Sequence, residues 1–305
     1  MLPATPLKHH PVNEQFHTKC LISGSSRLKP LKGYEQHYLV KSYPLGFVFA
    51  SKVPTEEELV AHYKKYSRED YLSPITVKRY HELLDQFEKY RKTGRILDVG
   101  CGIGYFLNEA KKRGWEVYGT EFTDEAIAKC HIHGINMHKG KLDPAWFEEG
   151  MFDVITSFEV IEHINNPVEE VQNINKILRT GGLFYFTTPN FNAIERYVLK
   201  ADYNVITYPE HLCYYTRKTI DYLLRNHGFK KKKLLTTGFS MSRIKTSMGS
   251  KKEVLHDPSS SDEKIRDTLE KNKLMHLVKH GVNTALTLLG VGSSLKGWYI
   301  KTKSV

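Results

Sequence analysis

The sequence predicts an α/β protein centred on a mostly parallel sheet with helices on both faces, and three observations carry that prediction. Between residues 95 and 236, short apolar runs alternate with stretches of helical period. Gly114, Gly134, Gly181–Gly182 and Gly228 stand where helix C-caps belong. A glycine-rich turn, RILDVGCGIGYF, leads the first apolar run into the first helix of this region. The composition permits such a core. Of the 305 residues 40% are hydrophobic and 26% charged, and 21 Gly with 12 Pro exclude collagen-like and wholly disordered chains.

In chain order, a polar leader containing His and Pro precedes two extended stretches, residues 38–40 and 46–49, separated by Pro44. Thr55 and Glu58 form a capping-box signal for one helix. Val77, Tyr80, Leu83, Leu84 and Phe87 have the spacing of a second, amphipathic one. Strands are expected at residues 96–99, 116–119, 135–137, 152–156, 183–187 and 233–236, with helices at 106–113, 124–131, 168–178 and 217–226. Residues 241–270 are rich in Ser, Lys and Asp and read as a mobile loop. A helical pattern through Leu274, Leu277, Val278, Val282 and Leu286 follows, and a strand-like run at 295–301 is expected to return to the main sheet. The chain therefore divides into a leader and extended segment (1–50), a helical N-terminal region (51–94), a core (95–237), a loop and helical insertion (238–293) and a final strand (294–305).

Four cysteines without a Cys-x-x-Cys pair, and an N-terminus lacking the apolar run of a signal peptide, point to a reducing cytoplasmic location. The longest apolar stretch near the end, residues 285–291, is too short to span a bilayer, so no transmembrane segment is expected. A formal charge of +11 attracts anionic partners, though much of it lies in short runs such as 230–233 and 111–113.

The glycine turn is the most informative segment. Gly100, Gly102 and Gly104 alternate after an apolar strand and before a helix, a pattern that lets the backbone turn tightly and a ligand approach it. A dinucleotide fingerprint would need a glycine where Leu107 stands, and no Gly-Lys-Ser/Thr follows for a P-loop. Asp98, just ahead of the turn, repels a pyrophosphate and suits a cationic amino group. Glu121, at the end of the second strand, is placed to bind ribose hydroxyls. A ligand with an ammonium, a carboxylate and a ribose fits all three, and S-adenosylmethionine is that ligand. A turn that only packs a helix on a sheet is the plainer alternative.

On these residues, from about 95 to 229, the chain resembles the class I S-adenosylmethionine-dependent methyltransferases. The resemblance implies a Rossmann-like, seven-stranded, mostly parallel sheet with the last strand antiparallel. It also implies that Asp98, Gly100, Cys101, Gly102 and Gly104 hold the methionine end of the cofactor and Glu121 the ribose. Phe122, Leu142 (with Asp143), Phe158 and Glu159 would line the rest of its cleft.

After the fourth strand comes SFEVIEHINNP, and further on YPEHLCYYT. The carboxyl ends of parallel strands open onto the ligand crevice, so Glu159, Glu162, His163 and, from the second segment, His211 should face the acceptor. His163 and His211 are the candidate general bases, with Glu162 beside them. Alternatively, Glu159, Glu162, His163 and His211 jointly hold a divalent metal, a reading less favoured than the base. The Glu-x-x-Glu-His string resembles that of ubiquinone-pathway and small-RNA O-methyltransferases. The plain alternative is that these side chains only fix the following turn.

The whole chain also resembles bacterial methyltransferases of polysaccharide and secondary-metabolite pathways, in which a zinc ribbon with two Cys-x-x-Cys pairs precedes the methyltransferase domain. The matching positions here are Cys20, Ser23, Ser42 and Leu45, so the ribbon is degenerate and zinc is not expected. Phe47 and Phe49 should hold its shape by packing. Tyr63, Tyr66, Tyr71 and Tyr80 are expected to pack a helix rather than bind acceptor, and residues 66–76 and 190–215 are the candidate lids.

The function expected is S-adenosylmethionine-dependent O-methylation of a hydroxyl on a small or glycan-like acceptor. A metal-assisted RNA or quinone O-methyltransferase and a non-catalytic cofactor-binding scaffold are the alternatives. Nucleic acid is a less favoured partner, because no RNA-binding module is visible.

Overall fold

Period-two burial explains the layering. In a computed structural model that describes residues 14–55, 57–59, 72–239 and 273–305, Leu97, Ile155 and Phe184 face one layer of helices while their neighbours Ile96, Val154 and Leu183 face the other. Three short N-terminal strands come first, β1 (Leu28–Pro30), β2 (Leu39–Ser42) and β3 (Val48–Ala50), followed by helix α1 (Pro74–Phe87). The core then runs β4 (Arg95–Val99), α2 (Tyr105–Lys112), β5 (Glu116–Glu121), α3 (Asp124–Ile132), β6 (Asn136–Lys139), β7 (Phe152–Phe158), α4 (Pro167–Ile177) and β8 (Leu178–Pro189). It continues through α5 (Ile194–Leu199), β9 (Cys213–Tyr214), α6 (Arg217–Asn226), β10 (Phe229–Thr237), α7 (Lys273–Leu289) and β11 (Ser294–Lys301).

Seven strands form the main sheet in the order β10-β11-β8-β7-β4-β5-β6. Strands β4 to β8 pair in parallel, and β11 lies antiparallel between β8 and β10, as the run at 295–301 predicts. Helix starts follow their cap signals. Ser73 accepts from Ile75 N–H ahead of Pro74, Asn166 caps α4 ahead of Pro167, and Thr216 with Thr219 closes a capping box on α6. The Thr55–Glu58 box also forms, with Thr55 N–H donating to Glu58 at 2.9 Å and Glu58 N–H to Thr55 Oγ1 at 3.2 Å.

Two expectations change. Gly181 and Gly182 are not a helix C-cap: α4 ends at Ile177 and the pair lies within the irregular start of β8. A Cβ on Gly182 would stand 2.7 Å from Leu178 Cδ1 and 2.9 Å from the Arg179 carbonyl oxygen, so close packing, not a cap, demands glycine there. The N-terminal strands also extend beyond their own segment. They form a four-stranded sheet, β1-β2-β3-β9, whose last strand comes from the far side of the core.

Within that sheet, the positions matched to a ribbon sit on two tight turns, with Gly24 N–H donating to Cys20 O and Gly46 N–H to Ser42 O, each at 2.9 Å. Phe47 and Phe49 are fully buried and stack on each other. Tyr80 packs edge-on against Phe106 and faces Phe158. Tyr63, Tyr66, Tyr71, the first part of the 66–76 lid and the loop at 241–270 lie outside the described residues.

Candidate functional site

The carboxyl ends of β4, β5 and β7 form one margin of the sheet, and the glycine turn is tied across it. Gly100 N–H donates to Thr120 Oγ1 at 3.2 Å and Cys101 N–H to Thr120 O at 3.0 Å. Gly102 N–H donates to Glu121 Oε2 at 3.0 Å, while Glu121 Oε1 accepts from Phe122 N–H at 2.9 Å and Thr123 N–H at 3.3 Å. Gly100 has φ +69°, and a Cβ there would fall 2.7 Å from Val160 Cγ2. Gly104, the N-cap of α2, has φ +79°.

Asp98 is buried in this margin and accepts a hydrogen bond from Thr156 Oγ1 on β7 at 2.7 Å. Burial pushes its carboxyl up to about 7, and Glu121 adds to the rise. Among the described residues no cationic side chain bonds it. A buried carboxylate without a counter-charge, beside a second acid and a glycine turn, fits the amino end of S-adenosylmethionine. Of the other expected contacts, Phe122 is 66% exposed at the margin. Phe158 packs among Tyr80, Phe106 and Tyr185, and Leu142 is buried in the core, its carbonyl held by Asn173. The Asp143 carboxylate is engaged in capping the turn at Pro144–Trp146.

A second cluster follows β7. Glu159 is exposed and holds φ +53°, a left-handed conformation uncommon outside glycine and frequent at functional turns. Glu162 is buried, and its Oε2 accepts from Thr188 Oγ1 on β8 at 2.8 Å. Its Oε1 has no hydrogen-bond donor among the described residues, and His163 Nε2 lies 3.9 Å away.

The two histidines meet edge to face with ring centroids 4.8 Å apart. His163 Nδ1 is 2.7 Å from Glu210 O, and His211 Nδ1 is 2.7 Å from Val205 O. A carbonyl can only accept, so each Nδ1 carries its proton and each Nε2 presents a lone pair. One ligand atom from each of Glu162, His163 and His211 lies within 4.8 Å of the others, and Glu159 stands outside this group. Burial, then the neighbouring His211, pushes His163 down to about 4. Burial, then Glu159, pushes Glu162 well up.

His211 reaches this place because Leu212 N–H donates to Glu162 O at 2.8 Å. Beside it a narrow pocket is lined by Glu162, Phe191, Arg196, Tyr203, His211 and Tyr214. Sequence reasoning missed Arg196, Thr156 and Thr188. Thr156 and Thr188 act across neighbouring strands, a relation no local pattern carries. Arg196 lies on the short helix α5, within the candidate lid at 190–215.

A family model described as a methyltransferase domain matches residues 68–234. Among curated proteins, the ubiquinone biosynthesis O-methyltransferase of Colwellia psychrerythraea is 31% identical over 112 residues, 34% of this chain and 45% of that one. The protein of the same name from Shewanella halifaxensis is 32% identical over 118 residues, 36% of this chain and 50% of that one. The chain spans about half the length of these relatives. A solved structure of a SAM-dependent methyltransferase from Archaeoglobus fulgidus shares the fold, with a TM-score of 0.51 at 17% identity over 81% of this chain and 100% of that one. Because the family model takes in more than half of its length, the chain belongs to the methyltransferase-domain family, and its sheet has the class I topology of S-adenosylmethionine-dependent members.

Proposed function

We propose that the chain is an S-adenosylmethionine-dependent O-methyltransferase acting on a hydroxyl of a small or glycan-like molecule. When bound, S-adenosylmethionine supplies an electrophilic methyl group on a sulfonium that departs as a neutral thioether. Asp98 would hold its amino end, the turn from Gly100 to Gly104 with Cys101 its methionine portion and Glu121 its ribose, with Phe122 at the open margin of the cleft.

The observation that supports the reading is the pair of imidazoles, each with Nδ1 held by a backbone carbonyl, whose ligand atoms lie with that of Glu162 within 4.8 Å of one another. An acceptor hydroxyl at that point gives its proton to Nε2 of His163 or His211 as its oxygen takes the methyl group. Alignment contributes about 7–11 kcal/mol in such reactions and a base about 10²–10⁴-fold in rate. His163→Ala and His211→Ala are therefore expected to lower turnover on a hydroxyl acceptor by about 10²–10⁴-fold, while calorimetry shows S-adenosylhomocysteine affinity intact. Full turnover in both variants would overturn the reading.

A second reading is supported by the Glu162 Oε1 atom, which no donor among the described residues satisfies. Two neutral imidazoles with carbonyl-fixed tautomers and one buried carboxylate are a donor set for a divalent cation, which would orient and acidify the same hydroxyl. The names of the two curated relatives, both O-methyltransferases, agree with a hydroxyl acceptor in either case. Activity lost to a chelator and restored by Mg²⁺ or Mn²⁺ selects the metal-assisted reading; activity unchanged by chelation selects the base.

A further inference from the structure

Arg196 brings a permanent positive charge into the narrow pocket that Glu162 and His211 line. Among the residues of that lining it is the only Lys or Arg. The side chain is half-buried, and among the described residues no carboxylate pairs with it. The adjacent acid, Glu195, is buried and bonded by Ser293 Oγ instead. A guanidinium drawn partly out of water is ordinarily matched by an anion.

The group is also fixed in place. Its Nε donates to Phe191 O and its Nη1 to Tyr34 Oη at 3.2 Å. Its central carbon lies 4.2 Å from the ring centre of Phe191 and 4.3 Å from that of Tyr197. The supports are themselves anchored: Phe191 N–H donates to Tyr215 O at 2.7 Å, and Tyr34 is buried. Little freedom is left to lose when a ligand binds.

These contacts leave one part of the guanidinium unused. The rings attract its charge through their faces, and the two acceptors take Nε and Nη1. Nη2 has no acceptor among the described residues. A clamp between the Phe191 turn and Tyr34 needs only the first two nitrogens. A rigid donor that retains its full charge beside an acceptor site has the chemistry that recognises a carboxylate or a phosphate.

We propose that Arg196 binds an anionic group of the acceptor, so that the hydroxyl methylated belongs to a carboxylic acid or a phosphate ester. The inference rests on the O-methyltransferase reading above and narrows its acceptor class. An acceptor held by its acid at Arg196 shares the pocket with Glu162 and His211, which keeps the rest of the molecule beside the histidines. A neutral analogue would cover the guanidinium without matching its charge, so the same residue discriminates against it.

Calorimetry on the full chain loaded with S-adenosylhomocysteine tests this with paired probes: dihydroxybenzoate and its methyl ester, glucuronate and glucose, a glucose phosphate and glucose. At least one acid is expected to bind about tenfold to a hundredfold more tightly than its neutral partner, the worth of hydrogen bonds to a charged group. Whether a carboxylate or the phosphate gains most names the anion. Arg196→Gln should remove the preference and Arg196→Lys keep part of it, with S-adenosylhomocysteine affinity and circular dichroism unchanged in both. The proposal is overturned if no acid is preferred in the parent, absence of binding by every probe included. It is also overturned if the preference survives Arg196→Gln, or if the variants lose acid and neutral probes in equal measure, which would make Arg196 a clamp alone. A parent chain that does not bind S-adenosylhomocysteine would instead overturn the O-methyltransferase reading, and the inference with it.

Discussion

On the proposed assignment Asp98 sets stability against ligand binding, and replacing it with asparagine should separate the two. Its carboxyl rises from 3.8 to about 7 because it is fully buried, with the Thr156 hydroxyl as its hydrogen-bond donor. At about 1.4 kcal/mol per tenfold change in ionisation, keeping Asp98 charged in the folded protein costs up to about 4 kcal/mol. The sign follows from the raised value: the cost is absent below pH 4, grows as pH rises toward 7, and is complete above it. Asp98→Asn keeps a polar group beside Thr156 but cannot ionise. Without ligand, the variant should melt several degrees above the parent at pH 8, and the gap should narrow through pH 5 and close near pH 4. Its affinity for S-adenosylhomocysteine should fall about tenfold to a hundredfold, the worth of a hydrogen bond to a charged group. Parent affinity should also decline below pH 7 as Asp98 takes up a proton. Thermal melts and calorimetry across this range provide the measurement. A variant that binds as tightly as the parent and melts no higher at pH 8 would refute the assignment of Asp98 to a cationic ligand group.

Two further predictions concern the frame of the site. Gly100→Ala should weaken S-adenosylhomocysteine binding and cost about 1–3 kcal/mol in urea unfolding, because φ is +69° and the new methyl would meet Val160. Adding Val160→Ala should recover the steric part of that loss and leave the torsional part, so full recovery would show that torsion is immaterial there. Asp153 is buried, yet Arg179 and the N–H groups of Lys92, Thr93 and Gly94 hold its carboxyl below the usual range. Its contribution is therefore present at neutral pH and lost as acid is added. Asp153→Ala should cost about 3–5 kcal/mol at pH 7, measured by denaturant unfolding, and a loss under 1 kcal/mol would contradict the network.

The sequence was legible where local patterns decide the structure. Ile96 and Leu97, or Val154 and Ile155, announce two buried faces by adjacency alone, and Asp98, Gly100 and Glu121 meet because each ends or follows a strand. Legibility ended where the partner is remote. Nothing near Cys213 and Tyr214 foretells their pairing with Phe49 and Val48. Gly181 and Gly182 look like a cap because Leu178 and Asp153, which crowd Gly182, act through packing. In α7 the apolar spacing was plain, but spacing gives the existence of an apolar arc and not its direction, and here polar contacts at Asn283 and Thr287 turned it outward.

The N-terminal sheet gives those remote pairings a purpose. Its matched positions keep one thiol of four, and the Ser23 and Ser42 hydroxyls are buried without hydrogen-bond partners among the described residues, so these two side chains add nothing to the backbone hydrogen bonds that close the turns. Burial of Phe47 and Phe49, with Tyr215 against Phe47, anchors the sheet. That packing fixes β3, and β3 fixes β9, where Ala50 N–H donates to Leu212 O at 2.8 Å. Leu212 in turn bonds the Glu162 carbonyl, and His17 bonds Asn165 at 2.7 Å on the turn after His163. His211 thus stands opposite His163 because of a second sheet, three of whose four strands precede the seven-stranded sheet in the chain. A sheet in that position is constrained by where it holds a histidine, and apolar packing meets that constraint.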